Sequence, residues 1–237
     1  MQRYFAKNIE NNKVELEQSD YHHIKNVMRY KKNDNIEVVF NNKLFIATIL
    51  DIQNYDIKII EEKEDNNELP VDLCVAVGLV KEQKMDLILQ KLTELGVKRI
   101  IPIKMSRSIV NLDDKKIDKK LLRWTTICKE ASEQSKRNII PIIDKPMTLN
   151  ELLKIEADIK LVASVKEDKN FIANYLQSNK NYVKIIVVIG PEGGISYEEE
   201  EKLNKNNFIS VSLGTTVLRV ETAAIYVASV INYCCRM

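Results

Sequence analysis

The chain has 237 residues, of which 45% are apolar and 30% are charged, a composition typical of a globular protein with one large domain or two modest ones. No apolar run is long enough to span a bilayer, and Met1 to Phe5 form no signal-peptide core, so we expect a cytoplasmic protein with no membrane partner. The four cysteines show no C-x-x-C spacing and the only two histidines are adjacent, so we expect no metal site.

The net charge of +2 is unevenly distributed along the chain. Residues 1–69 carry a net charge of −3, residues 70–150 carry +6 and residues 151–237 carry −1. A basic middle segment is expected if the protein binds the phosphate backbone of a nucleic acid. It is equally expected if the charges lie on a solvated helix surface. Charge alone does not separate the two interpretations.

The first segment of the chain reads as mostly β-structure. Residues 36–40 and 44–49 are strand candidates on either side of the turn cluster Asn41-Asn42-Lys43, and residues 56–60 continue the pattern. Residues 61–70 are charged and end in a proline, which predicts a linker and places a domain boundary near residue 70.

Beyond residue 70, apolar runs alternate with helical patterns. The predicted strands are residues 71–80, 100–103, 139–143, 158–165, 183–189 and 208–213. The predicted helices include residues 84–95, with Gly96 as the C-cap, and the long basic run 115–136. Such alternation indicates an α/β fold with a mostly parallel sheet and helices on both faces.

Four of the six glycines fall in two short segments, each directly after a predicted strand. The first segment holds Gly190, Gly193 and Gly194, and the second begins at Gly214 and leads into an apolar helix. Glycines at the carboxyl end of a buried strand permit positive φ and a close approach of the backbone to a ligand. The first segment is neither a G-x-G-x-x-G fingerprint nor a P-loop. Glu192 disfavours bound phosphate there, so a neutral or cationic ligand suits this segment better.

The two segments together resemble a known family. Residues 190–194 read GPEGG, and residues 213–224 resemble an LGxRILRxETA motif, both typical of the SPOUT-class 16S ribosomal RNA (uracil-N3)-methyltransferases. Residues 84–97, 106–108, 130–141 and 23–29 match further family segments, so that the resemblance covers essentially the whole chain.

The resemblance implies two domains and an activity. The first domain, residues 1–69, would be an RNA-binding PUA-like β-barrel, and the second, residues 70–237, a SPOUT domain whose sheet ends in a trefoil knot. The implied activity is methylation of N3 of uridine 1498 in 16S ribosomal RNA of the small subunit, by a homodimer with S-adenosylmethionine as cofactor.

The resemblance also assigns residues to roles. The residues implied to bind the cofactor lie in three loops: Ala163, Ser164, Gly190, Pro191, Glu192, Gly193, Gly194, Leu213, Gly214, Leu218 and Thr222. The residues expected to bind RNA are basic or histidine: Arg3, His23, Arg29, Arg107 and Arg137. A local patch of Lys25, Arg29, Lys31 and Lys32 would offset the acidic N-terminal segment. Thr216 departs from the family, which has an arginine there.

Two residues are candidates for catalysis. N3 of uracil is a weakly acidic imide that must lose a proton, and residues 70–237 contain no histidine to accept it. We expect Arg219 or Arg107 to stabilise the uracil anion and Glu221 or water to take the proton. Equally, Arg219 and Glu221 could form a structural ion pair at the start of a helix.

Three other functions compete with this one. A related methyltransferase acting on another rRNA or tRNA position is the nearest rival. A non-catalytic RNA-binding protein predicts no binding of S-adenosylmethionine. A nicotinamide-dependent oxidoreductase is disfavoured because the first strand of the α/β segment lacks a G-x-G-x-x-G turn.

Overall fold

The computed structural model describes residues 1–65, 67–110, 114–179 and 182–236. Its contacts divide the chain into two units. One unit comprises Met1–Glu68 together with Ser132–Ile139, and the other comprises Leu69–Ala131 and Ile140–Met237. The assignment of residues 1–69 to RNA binding stays a prediction.

The first unit is built on a mixed six-stranded sheet in the order β1-β4-β5-β6-β3-β2, in which β1 lies parallel to β4 and the other neighbours are antiparallel. Its strands are β1 (Arg3–Phe5), β2 (Asn8–Glu10), β3 (Lys13–Glu15), β4 (Asn35–Phe40), β5 (Lys43–Asp51) and β6 (Asp56–Lys63). A short helix α1 (Gln18–His22) and a π-helical turn (His23–Val27) cross between β3 and β4. The closure of this sheet into a barrel stays a prediction.

The predicted hairpin around Asn41-Asn42 is confirmed. Both asparagines have positive φ, 50° and 62°, as a two-residue turn between twisted strands requires. The predicted linker is wrong at its start, because β6 continues to Lys63. Residues 61–63 pair with β5 through their backbones while their charged side chains stay exposed, so charge did not end the strand.

The second unit carries a seven-stranded sheet in the order β10-β8-β7-β12-β11-β13, with β9 also paired to β8, and every pair is parallel. Its strands are β7 (Asp72–Gly78), β8 (Arg99–Lys104), β9 (Ile142–Ile143), β10 (Met147–Thr148), β11 (Ile159–Ala163), β12 (Lys184–Ile189) and β13 (Ile209–Val211). The predicted parallel sheet is therefore confirmed. The predicted strands 139–143 and 208–213 are shorter in the structure, and β10 had no signal in the sequence.

Helices cover both faces of this sheet, as the alternation predicts. They are α2 (Glu82–Glu94), α3 (Asp114–Gln134), α4 (Leu149–Leu152), α5 (Ile172–Ser178), α6 (Tyr197–Asn204) and α7 (Val220–Arg236). Alternate residues of the central strands face opposite sides: Val75 and Val187 pack with α2 and α7, whereas Ala76 and Val188 pack with α4 and α6.

Gly96 ends helix α2 as predicted. Its φ of +91° permits two capping bonds, from the Gly96 N–H to the Thr93 carbonyl and from the Val97 N–H to the Leu92 carbonyl, each 3.0 Å long. In the part of the chain that the structure describes, no helix combines the length and apolar character needed to cross a membrane.

Strand order brings distant segments together at the middle of the sheet. Strand β12 lies between β7 and β11, although it follows both in the chain. In open α/β sheets, ligands bind beyond the carboxyl ends of the strands, where connections diverge. The trefoil knot stays a prediction.

Candidate functional site

Three loops meet at the carboxyl edge of the parallel sheet and enclose a cavity of about 470 Å³. They follow β11, β12 and β13, which are neighbours or near neighbours in the sheet. Helix α2 contributes Lys84 and helix α6 contributes Glu200 to the wall. The described lining residues are residues 84, 163–167, 189–192, 194, 195, 200, 213–220 and 223. The two glycine segments therefore share one cavity.

The loop after β12 is tightly packed on its inner side. A Cβ atom on Gly78, at the end of β7, would lie 2.4 Å from the Pro191 nitrogen, so the two backbones touch. A Cβ atom on Gly190 would lie 2.7 Å from Cγ1 of Ile195. Gly194 has φ of +72° and donates its N–H to the Pro191 carbonyl at 2.8 Å, which closes the turn.

The segment after β8 holds this loop from outside. Arg107 Nη1 donates to the Gly193 carbonyl at 3.2 Å, and a Cβ atom on Gly193 would lie 2.9 Å from Cβ of Arg107. The backbone N–H of Ser106 donates to the carboxylate of Glu199, which also belongs to a capping box with Ser196 at the start of α6. Both contacts hold the loop and the start of α6 in place.

The start of α6 also lowers the pKa of one carboxyl group, that of Glu198. The pKa of Glu198 is lowered by a hydrogen bond from its own backbone N–H and then by the hydrogen bond with Ser196, and the positive charge of Arg107 adds to the effect. Glu198 therefore stays ionised at neutral pH, beside the loop but outside the cavity wall.

The loop after β13 is open. Gly214 has φ of +134°, and a Cβ atom placed on it would meet no other described atom within 4 Å. Residues 214–217 are exposed, Val217 to 82%. Arg219 is exposed on the cavity wall, and none of the residues that the structure describes forms a hydrogen bond or ion pair with its guanidinium. Arg219 is thus a free cation at the rim.

A cluster of three charges connects the two loops. Lys84 Nζ lies 3.2 Å from Oε1 of Glu192 and 3.7 Å from Oε2 of Glu221. The second distance exceeds a hydrogen bond, and Oε2 of Glu221 is buried with no hydrogen-bond partner among the described residues. With one ammonium and two carboxylates, the cluster has a formal net charge of −1.

An ion pair between Lys166 and Glu200 also lines the cavity. Lys166 Nζ lies 3.1 Å from Oε2 of Glu200 and 5.1 Å from the centre of the Tyr197 ring. Ser164 is buried, and its hydroxyl accepts a hydrogen bond from the Lys166 N–H at 3.2 Å. The loop after β11 is held in this way to helix α6.

Most of the residues expected to bind the cofactor lie on the cavity wall: Ala163, Ser164, Gly190, Pro191, Glu192, Gly194, Leu213, Gly214 and Leu218. Gly193 and Thr222 do not line it. The candidate catalytic residue Arg219 lines the cavity. The other candidate, Glu221, does not line it and lies next to Lys84. The structure shows no ion pair between Arg219 and Glu221, because Glu221 faces Lys84.

The assignment of Arg3 and Arg137 to RNA binding is corrected. The Arg3 side chain is only 2% exposed and pairs with Glu37 at 2.9 Å and with Asp65 at 2.7 Å. Arg137 is 3% exposed and pairs with Glu68 at 2.7 Å. Both guanidiniums are buried within the first unit and are not accessible to a phosphate.

The other residues expected to bind RNA remain accessible. Arg29 is exposed with φ of +54°, and Arg107 is exposed beside the cavity loop. His23 is half-buried, with Nδ1 2.9 Å from the Tyr4 hydroxyl. Lys25, in the proposed basic patch, donates to Gln53 at 2.7 Å.

Sequence reasoning missed Lys84, Lys166 and Glu200 as parts of the site. Lys84 lies about a hundred residues before Glu192, and no local pattern connects them. Within the described ranges, no group of three or more histidine, cysteine or acidic residues is arranged to hold a metal ion.

Comparisons with known proteins find matches to two families. The family described as RNA methyltransferase domain matches residues 67–232, and the family described as RNA methyltransferase PUA domain matches residues 16–62.

Individual relatives match over nearly the full length. Ribosomal RNA small subunit methyltransferase E of Bacillus subtilis is 36% identical over 98% of this chain and 96% of its own. The protein of the same name from Buchnera aphidicola is 37% identical over 91% of this chain and 88% of its own. A solved structure of that enzyme from Neisseria gonorrhoeae, bound to S-adenosyl methionine, matches with a TM-score of 0.86 and 27% identity, over 98% of this chain and 97% of that one.

Proposed function

This chain belongs to the RNA methyltransferase family, and we propose that it methylates N3 of a uridine in small-subunit ribosomal RNA, with S-adenosylmethionine as the methyl donor. The observation that carries the proposal is the single cavity formed by the loops after β11, β12 and β13. The choice of uridine 1498 in 16S ribosomal RNA rests on the family resemblance of the two loop motifs.

The cavity fits the proposed cofactor. Its volume of about 470 Å³ lies in the range of pockets that enclose small-molecule ligands. A Cβ atom on Gly194 or Gly214 would meet no described atom within 4 Å, so both loops leave their backbones open on that side. The net negative Lys84 cluster suits a ligand that carries positive charge. The loops would hold the cofactor through Ala163, Ser164, Gly190, Pro191, Glu192, Gly194, Leu213, Gly214 and Leu218.

When bound, S-adenosylmethionine supplies an electrophilic methyl group, so the protein's task is to position the reactants and to exclude water. Arg219 lies at the rim with no partner among the described residues, and its guanidinium would stabilise negative charge on a uracil carbonyl oxygen. Arg107 does not line the cavity and holds the Gly193 carbonyl instead. Because the Glu221 carboxylate faces Lys84, we assign the uptake of the N3 proton to water.

The partners follow from the same proposal. The substrate is 16S ribosomal RNA in the small subunit, which places the enzyme in the cytoplasm. His23, Arg29 and Arg107 remain the proposed RNA contacts, since their side chains are at least partly exposed. A second copy of the chain is the proposed partner protein, and helix α7 exposes Tyr226 and Tyr233, seven residues apart on one face, as a surface for it.

Mass-spectrometric mapping of small-subunit RNA, from cells with and without this gene, tests the proposal. We expect one N3-methyluridine to disappear when the gene is removed and to return when purified protein and donor are added. Loss of a methyl group at another rRNA or tRNA position would identify the related-methyltransferase alternative. Calorimetry with S-adenosylmethionine that detects no binding would favour a non-catalytic RNA-binding protein.

A further inference from the structure

Lys84 occupies an unusual position in the second unit. It lies in the first turn of α2, whose following residues Met85, Ile88 and Leu89 are at most 1% exposed and fix the helix in the core. From this fixed point the ammonium group reaches two carboxylates on two other elements. Glu192 belongs to the loop after β12, and Glu221 belongs to the first turn of α7, directly after the β13 loop.

The three side chains are only partly exposed. Lys84 is 32% exposed, Glu192 21% and Glu221 15%. The interactions are therefore less screened than those of a surface ion pair. Without the ammonium, two carboxylates would face each other across the space that it now occupies. One of them, Glu221, already has a buried oxygen with no hydrogen-bond partner in the described part of the chain.

We propose that Lys84 is a positioning residue that fixes the loop after β12 and the start of α7 at the spacing that donor binding requires. The inference rests on the proposed function, because the spacing matters only if both loops bind one ligand. The Lys84 ammonium offsets the repulsion between the Glu192 and Glu221 carboxylates, so that this repulsion does not change the spacing of the two loops. Direct contact between its ammonium and the ligand is not part of the proposal.

Substitutions of Lys84 distinguish positioning of the two loops from direct contact with the donor. Lys84→Met keeps the length and apolar stem but removes the charge, and donor affinity should fall roughly tenfold, as when one partner of a partly buried charged pair is lost. Lys84→Arg should restore most of that affinity, because it can still bridge two carboxylates. Lys84→Met combined with Glu221→Gln should also restore it, since the repulsion is gone.

The measurements are calorimetric titration with S-adenosylmethionine and amide hydrogen exchange of the protein without donor. Exchange in residues 190–195 and at the start of α7 should accelerate in Lys84→Met and return to the parent rate in the double variant. Lys91→Met is the matched control, because Lys91 lies on the same helix, outside the cavity, and among the described residues pairs with Glu94 alone, at 2.8 Å. Its donor affinity should stay within about twofold of the parent.

Two results would overturn the inference. A Lys84→Met protein that binds the donor as tightly as the parent would show that the spacing does not depend on Lys84. A double variant that binds as weakly as Lys84→Met would show that the ammonium contacts the donor itself. A parent protein that binds no donor would instead defeat the proposed function, so the two failures are distinguishable. Thermal unfolding of each variant identifies any loss of affinity that comes from misfolding.

Discussion

The Arg3 cluster of the first unit and the Lys84 cluster of the second unit each pair one cation with two carboxylates. The two clusters differ in burial and in hydrogen bonding. Arg3 is almost fully buried and makes charge-assisted hydrogen bonds to Glu37, Asp65 and Asn138 at 2.9, 2.7 and 2.7 Å. Lys84 is one-third exposed and shares one ammonium between two carboxylates, and within the described ranges an oxygen of Glu221 has no hydrogen bond.

The difference lies in how completely the partners are satisfied. The planar guanidinium of Arg3 has five donors in a fixed fork, which suits a closed structural cluster. The cluster at Lys84 borders the cavity, and one oxygen of Glu221 has no hydrogen bond from any residue that the structure describes. The structural cation, Arg3, therefore makes a hydrogen bond to each of its partners, whereas Lys84 reaches Glu221 only at 3.7 Å.

The largest expected effect comes from opening the closed cluster. Arg3→Met leaves Glu37 and Asp65, 13% and 18% exposed, without their shared cation. The free energy of unfolding of the first unit should fall by about 3 kcal/mol, the cost of removing one partner of a buried pair. Urea denaturation, together with amide exchange in β1 and β4, measures this.

A surface pair supplies the control for Arg3. Lys43 and Glu62 lie 2.7 Å apart but are 62% and 52% exposed, so Lys43→Met should cost less than about 0.5 kcal/mol. Equal losses in Arg3→Met and Lys43→Met would remove the distinction between the closed cluster and an ordinary surface pair.

The second effect concerns the free cation at the open site. Arg219→Ala removes a guanidinium with no partner among the described residues, so thermal stability should stay the same. The value of kcat/KM for methylation of small subunits should fall roughly a hundredfold if Arg219 stabilises the uracil anion. The assay uses radiolabelled donor and unmethylated subunits, and an unchanged rate would exclude this role.

The third effect is the pH dependence of the closed cluster. Burial alone would raise the pKa of Glu37, but hydrogen bonds and positive charge from Arg3 and Lys136 hold it below its ordinary value of 4.5. The stability from this group is therefore present above that value and is lost as the pH falls through the lower folded pKa. Glu37→Gln should be less stable at neutral pH and should lose less stability on acidification than the parent. Denaturation curves from about pH 6 to about pH 3 test this, and parallel losses in both proteins would contradict it.

The smallest expected effect uses the family departure at Thr216. Thr216 is exposed on the cavity rim, so Thr216→Arg adds a cation without displacing a contact. Affinity for the RNA substrate should rise by about threefold, and the salt dependence of binding should steepen by roughly 0.7 to 0.9 in log–log slope. Gln177→Arg on the exposed side of α5 adds the same charge away from the cavity. An equal rise in both variants would show only a general charge effect.

Local sequence patterns predicted much of the fold and the cavity. The hairpin at Asn41-Asn42, the end of α2 at Gly96 and the parallel sheet all depend on interactions within a few residues or on hydrophobic periodicity. The two glycine loops were found in the same way, because glycine after a buried strand signals close backbone approach. The family resemblance then indicated that the two loops share one ligand.

Basic residues were much harder to interpret. Arg3 and Arg137 have the residue type expected at an RNA surface, but the fold buries them against Glu37, Asp65 and Glu68. Arg219 has the same chemistry but lies at the cavity rim, where no described residue pairs with its guanidinium. No signal within a few residues of each arginine distinguishes these outcomes.

The sequence alone was sufficient to predict the fold class, the positions of the two glycine loops and the chemistry of the family. Only the tertiary structure decided which charges face each other: Lys84 with Glu192 and Glu221, and Arg3 with Asp65. The physical reason is distance. Turns, caps and periodicity act over a few residues, whereas an ion pair forms between any two groups that the folded chain brings within about 4 Å.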